Sequence, residues 1–154
     1  MQKHTKAPTS KGPEERFTGD VYVDPIVQAP DAGFSVAAVH FTPGAHTAWH
    51  SHAAGQTLHC TEGRGLVVTA DDVIALRPGD TVWTPPNVRH WHGAVPDHFM
   101  THLAMSGTVA LAEGQEAVTW QEHVPDPDYD AATATIAATV IPGSIRNPRS
   151  GQGN

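Results

Sequence analysis

The sequence predicts an all-β fold, a barrel or double-sheet jelly roll, on three observations. Short β-branched and apolar runs with period-two alternation recur from Phe17 to Gln121, turn residues separate them, and almost no helical periodicity precedes residue 125. The 14 glycines and 13 prolines supply the punctuation that so many reversals of direction need. At 154 residues the chain suits one domain, because a second core is rarely needed below roughly 250 residues.

Residues 1–12 are polar, with scattered Lys, Thr and Pro, and read as a flexible N-terminal arm ahead of a domain spanning 13–129. Residues 17–25 alternate apolar and polar side chains and stop at Pro25, as an opening or edge strand does. Residues 33–41 form a second strand, closed by Thr42-Pro43-Gly44. Residues 57–60 and 66–69 flank the glycine-rich turn Glu62-Gly63-Arg64-Gly65 and read as a hairpin. Asp71-Asp72 is a surface turn and residues 73–76 a strand. In Arg77-Pro78-Gly79-Asp80, proline and glycine stand where turn geometry favours them. Strands over 81–84, from His90 onward, 99–105 and 117–121 complete the set.

After Pro125 the composition shifts. Residues 130–154 read as an extended or disordered tail, within which 130–140, rich in Ala and Thr, suits either a short helix or a strand exchanged with a partner subunit. Residues 141–154 carry Pro, Gly, Ser and Asn throughout and are expected to be disordered.

Charge and cysteine usage narrow the function. A formal net charge of −7 argues against a phosphate-backbone partner, so no nucleic acid is expected. No apolar run approaches the roughly 18 residues of a membrane helix, so no membrane partner is expected either. The single cysteine, Cys60, cannot form an internal disulfide, and the N-terminal residues lack the apolar core of a signal peptide; a cytoplasmic location is the expectation. Cys60 has no visible base partner and reads as buried.

The chemistry concentrates in residues 44–63. Side chains alternate faces along a strand, so His50 and His52 project to one side, close enough to share an ion. A turn through Ala53-Ala54-Gly55 can return the Gln56 amide oxygen toward that ion, unless Gln56 only hydrogen-bonds. His90 is the best candidate for a third imidazole, with His92 as its competitor; His92 faces the same side farther along the pocket. Three neutral imidazoles and a neutral amide leave a dication's charge uncompensated, which makes a strong Lewis acid. This ligand set suits Mn, Fe, Co, Ni or Zn, not Ca or Mg.

His102 lies in a later strand that a jelly roll can bring across the pocket. Near a Lewis acid it is a general-base candidate, the alternative being an ordinary hydrogen-bonded histidine. Ser106 shares its strand parity and can donate to a substrate. Ala37 and Val39 share a face whose modest side chains leave room for one. Trp49, Trp83 and Trp91 are expected to fill the barrel or its mouth. His4, His98 and His123 read as surface residues, His59 should point away from the metal, and His40 and His46 are undecided.

Two motifs resemble those of the cupin superfamily. Gly44, five residues, His50-Ser51-His52, three residues, Gln56, six residues, Gly63 is similar to its first motif, with Gln where many members have Glu. Gly79, five residues, Pro85-Pro86-Asn87, two residues, His90 is similar to its second, with Asn87 where Gly is usual and Ala94 where Asn often closes it; this spacing favours His90 over His92 as a ligand. The resemblance implies the cupin double-stranded β-helix, a jelly-roll barrel. It is closer still to small bacterial cupins that include manganese-dependent hydroxynitrile lyases, through Phe17-Thr18-Gly19, Asp24-Pro25, Thr47-Ala48-Trp49-His50, Gly55-Gln56-Thr57-Leu58, His90-Trp91-His92-Gly93-Ala94 and Met100-Thr101-His102-Leu103-Ala104.

That resemblance implies a metal held by His50, His52, Gln56 and His90, manganese before Fe, Ni, Co or Zn, with His102 as base or acid. Ala37, Val39, His92 and Ser106 then line the place of a small-molecule substrate. A cyanohydrin is the expected substrate of such a lyase. His46 stands where those lyases can have Arg, and Ser106 where a Gln occurs. Sugar-type isomerases, ring-closing cyclases, iron dioxygenases and non-catalytic ligand-binding cupins are the other classes open to these residues. Cupins commonly pair through edge strands, so a homodimer or homotetramer is expected.

Overall fold

The computed structural model of the chain describes residues 1, 3–29, 33–107, 114 and 116–139. In chain order its strands are β1 (Ser10–Lys11), β2 (Phe17–Thr18), β3 (Val21–Ala29), β4 (Phe34–Phe41), β5 (His46–Thr47), β6 (His50–His52) and β7 (Gln56–Gly63). They continue as β8 (Gly65–Thr69), β9 (Val73–Leu76), β10 (Thr81–Thr84), β11 (His90–Ala94), β12 (Met100–Gly107) and β13 (Val118–Trp120), followed by a helix, α1 (Asp126–Thr139). One sheet runs β1-β3-β4-β12-β7-β10; the other runs β13-β6-β11-β5-β2, with β8 pairing both β11 and β9. All recorded pairings are antiparallel, as in a jelly roll.

Period-two patterning explains which faces meet. On β12, Met100, His102, Ala104 and Ser106 stand opposite Phe41, Val39, Ala37 and Ser35 of β4, and His102, Ala104 and Ser106 stand opposite Cys60, Leu58 and Gln56 of β7. This shared face is the inner one: Val21, Val39, Phe41, Leu58, Cys60 and Met100 pack there with Val67 and Leu76 from the other sheet. Cys60 is buried and free, as its sequence surroundings suggest.

Several expectations need correction. The opening run does not form one strand: Gly19, at φ 76°, turns the chain so that β2 joins one sheet and β3 the other. Nor does Pro25 end β3; the strand absorbs it with a register shift between Pro25 and Val27 and continues to Ala29. The glycine-rich turn at 62–65 joins no hairpin, because β7 and β8 lie in different sheets. Gly63, at φ 75°, carries the chain across; a Cβ there would stand 1.9 Å from the Phe99 carbonyl oxygen. The N-terminal arm is not wholly loose, since Ser10 and Lys11 pair with Val23 and Tyr22.

The largest departure is at the C-terminal side. The domain does not end at Tyr129, because α1 begins at Asp126 and packs on the outer face of the second sheet. Pro125 starts it, its carbonyl accepting from the amides of Asp128 (2.9 Å) and Tyr129 (3.1 Å), while Asp126 and Asp128 suit the positive end of the helix dipole. Tyr129, Ala132, Thr133 and Ile136 share one helical face and are buried, with Leu66, Val68, Trp91 and Val95 beneath. Helix is thus the form taken by 130–139, which rules out the extended reading there. The readings of 140–154 lie outside the described residues. No helix among the described residues is long and apolar enough to cross a membrane.

Candidate metal centre

Three strands converge on one buried point. β6 places His50 and His52 on its inner face, and His90 of β11 stands directly opposite His50. The ligand atoms of His50, His52 and His90 all lie within 4.8 Å of one another. Gln56 arrives from the other sheet after a turn closed by the Gly55 amide on the His52 carbonyl (3.2 Å), and its Oε1 lies 3.0 Å from His90 Nε2. Asn87, at φ 62°, occupies the position where the related motif has Gly, and its amide donates to the His52 carbonyl at 2.8 Å. Asn tolerates the left-handed region better than most residues, so the departure leaves the loop intact.

The rings are oriented for coordination through Nε2. His50 Nδ1 donates to the Ala48 carbonyl (3.0 Å) and His90 Nδ1 to the Val88 carbonyl (2.9 Å), which leaves each Nε2 with its lone pair. Nδ1 of His52 faces the Ser106 hydroxyl at 3.3 Å, while its Nε2 is buried with no partner. An orphaned buried nitrogen aimed at two other imidazoles and an amide oxygen fits a cation, and the donor set suits a transition metal. Burial also holds these rings in the neutral form that ligation requires: desolvation and then the facing His90 bring His50 down to about 3, and the same two causes bring His52 to about 4. Desolvation lowers His90 as well.

A second histidine pair backs this cluster. His92 Nδ1 lies 3.1 Å from His102 Nε2, and the His92 ring centre is 5.3 Å from that of His50. His102 is fully buried, its Nδ1 has no partner, and Phe41 packs against both rings, 5.7 Å from His92 and 5.4 Å from His102. Desolvation brings His102 down to about 3 and holds His92 well below its ordinary value. Both therefore stay neutral through the physiological range.

His50, His52, Gln56 and His90 thus come together, with His92 and His102 adjacent. Val39 lies opposite His102, and Ala37 opposite Ala104 beyond it. The Ser106 hydroxyl faces the His52 ring. His59 points away, bonded to Thr81 Oγ1 at 2.8 Å, and His40 is engaged by Thr101 Oγ1 at 3.1 Å. His46 lies on the outer face of its sheet beneath α1, stacked on Tyr129 at 4.5 Å, its Nδ1 bonded to the Gly44 carbonyl. It belongs to the helix packing and not to the histidine cluster. Trp91 is buried with Trp49 beside it in the cluster under α1 on the outer face of its sheet, not inside the barrel, and Trp83 is 56% exposed.

Sequence reasoning missed Trp120. It stands opposite His50 across β13 and β6 and stacks on that ring, with centres 4.7 Å apart at 29°. Alternation in residues 117–121 puts Val118 and Trp120 on one face; which strand that face meets is not written in the alternation.

The chain matches the family described as Cupin domain over residues 37–106. It is 46% identical over 123 residues to an (R)-mandelonitrile lyase of Granulicella tundricola, a match covering 79% of this chain and 91% of that one. Among solved structures, a cupin-like protein from Thermotoga maritima superposes with a TM-score of 0.74 at 39% identity, covering 80% of this chain and 92% of the other. A cupin 2 conserved barrel domain protein from Rhodopseudomonas palustris shares the fold at a TM-score of 0.63 and 15% identity, covering 79% of each chain.

Proposed function

The chain belongs to the cupin family, and on that premise we propose that it is a metal-dependent lyase that cleaves cyanohydrins and, in reverse, forms them. A relative at 46% identity named (R)-mandelonitrile lyase supports the substrate class. The single observation that carries the chemistry is the 3.1 Å contact of His102 with His92, beside three imidazoles already turned toward a common point.

His50, His52, His90 and Gln56 would hold a divalent transition cation, manganese before Fe, Ni, Co or Zn, which would supply Lewis acidity. The remaining chemistry belongs to side chains. Burial keeps His102 neutral, so it can accept the proton of the cyanohydrin hydroxyl as general base. As that proton leaves, the bond between the carbinol carbon and the nitrile carbon breaks. Its electron pair departs with cyanide, the carbinol carbon becomes an aldehyde carbonyl, and the proton returns from the imidazole to give hydrogen cyanide. The contact with His92 spreads the positive charge over two rings while the proton is held. Val39 stands opposite the base with Ala37 two residues beyond, both of modest size, and Phe41 packs against both rings.

Benzaldehyde release from mandelonitrile, followed by ultraviolet absorbance with metal-loaded and chelator-stripped protein, tests the proposal. Metal-dependent release supports it; full activity of the stripped protein, or none from the loaded one, rejects it.

A further inference from the structure

Among the described residues, one cavity lies away from the histidines. It has a volume of about 470 Å³ and lies at the end of β8 and β9 under α1, with walls that share no residue with the metal cluster or with His92 and His102. Its apolar lining includes Leu76, Val95 and Ile136, all buried, and its polar lining includes Arg64 and Arg77. Among the described residues neither guanidinium forms an ion pair. Asp97, the acidic group on the rim, is engaged by His98 Nδ1 at 2.9 Å and feels the charge of Arg64 more weakly. Among the described residues, a chain of net charge −7 therefore presents at the mouth of an apolar pocket two arginines without a direct ion pair.

We propose that this cavity is a second ligand site, for a small carboxylate carrying an apolar body. Guanidinium groups match carboxylates in geometry as well as charge, and the body would replace water against Leu76, Val95 and Ile136. The volume lies within the range of small-molecule pockets, roughly 300–1,000 Å³, enough for a body of about eight to ten carbons. Residues 140–154 contain Arg146 and Arg149 and no acidic side chain, so they offer the two guanidinium groups no side-chain carboxylate. The site owes nothing to the metal and would exist whether or not the lyase reading holds.

Octanoate is the probe, titrated calorimetrically into the metal-loaded full chain, with octanol as its uncharged counterpart. The expected result is saturable octanoate binding that weakens about tenfold or more in R64Q/R77Q, the worth of a charge-assisted contact, and is much weaker for octanol. Arg77 is exposed and Arg64 half-buried, so the double variant should fold; an unchanged melting temperature checks this. H50A should bind octanoate as the parent does. No binding up to about 10 mM, a Kd scale beyond which recognition is trivial, would overturn the proposal. So would binding indifferent to the arginines, or binding lost in H50A, which would place the carboxylate on the metal. Binding that emerges only after deletion of 140–154 would assign the cavity to the chain's own tail and likewise reject it.

Discussion

The Ser106 hydroxyl stands 3.3 Å from Nδ1 of His52, across from Gln56 in the strand register, so β12 orients one candidate metal ligand while lying beside another. A ring held at Nδ1 presents Nε2 without a search through rotamers, and outer partners of this kind commonly change metal affinity by about 10–100-fold.

Ser106→Ala should therefore weaken metal binding by about tenfold, at the lower end because a hydroxyl is a modest partner. Competition with a calibrated chelator measures it. Ser106→Thr, which keeps the oxygen, should retain most of the affinity. Equal affinity in the alanine variant would show that the His52 ring needs no such support.

His102→Ala should keep its metal and lose about 10²–10⁴-fold in kcat for mandelonitrile, the usual contribution of a general base. His50→Ala should lose metal and activity together, since its ring belongs to the three-histidine cluster. Metal analysis beside kinetics separates the two. A metal-free His50→Ala protein with full turnover would remove the metal from the reaction.

Acid should destabilise the metal-free fold over a defined window. The folded values of His50 and His102 are about 3 and that of His52 is about 4, against an ordinary 6.5, so these groups are neutral when folded and protonate when unfolded. Below pH 6.5 the unfolded chain binds more protons, and stability falls as pH drops, by at most about 1.4 kcal/mol per pH unit for each such ring, until the folded values are reached. Denaturant midpoints at pH 7, 5.5 and 4.5 should decrease in that order. A flat profile would mean that the rings are not held neutral by burial.

Tyr129→Phe should cost about 1 kcal/mol, because the hydroxyl donates to the buried Ala94 carbonyl at 2.8 Å. Tyr129→Ala should cost about 3 kcal/mol, through the lost packing on His46 and Trp91. Both should leave metal affinity unchanged, since Tyr129 packs on the outer face of the sheet. Urea unfolding and chelator competition supply the two readouts; unfolding midpoints equal to the parent's would detach α1 from the domain's stability.

Alternation and turn chemistry wrote much of this protein into its sequence. His50 and His52 share a face because a strand has period two, and short strands punctuated by Gly and Pro can close only into a barrel or sandwich. Fold class, the shared face of His50 and His52 and the outward aim of His59 followed from that local geometry, while Gln56 and the choice of His90 over His92 rested on the resembling motifs. Partnership between distant strands did not. That β7 and β8 part to different sheets at Gly63, that Trp120 stacks on His50, that Ser106 faces His52, and that His92 meets His102 depend on register, which no strand carries within itself. The buried face of α1 went unread because Ala132 and Thr133 sit between Tyr129 and Ile136, leaving two large apolar side chains to mark a helix. Only the surface of the second sheet, which needs covering against water, decides that those residues coil and dock there.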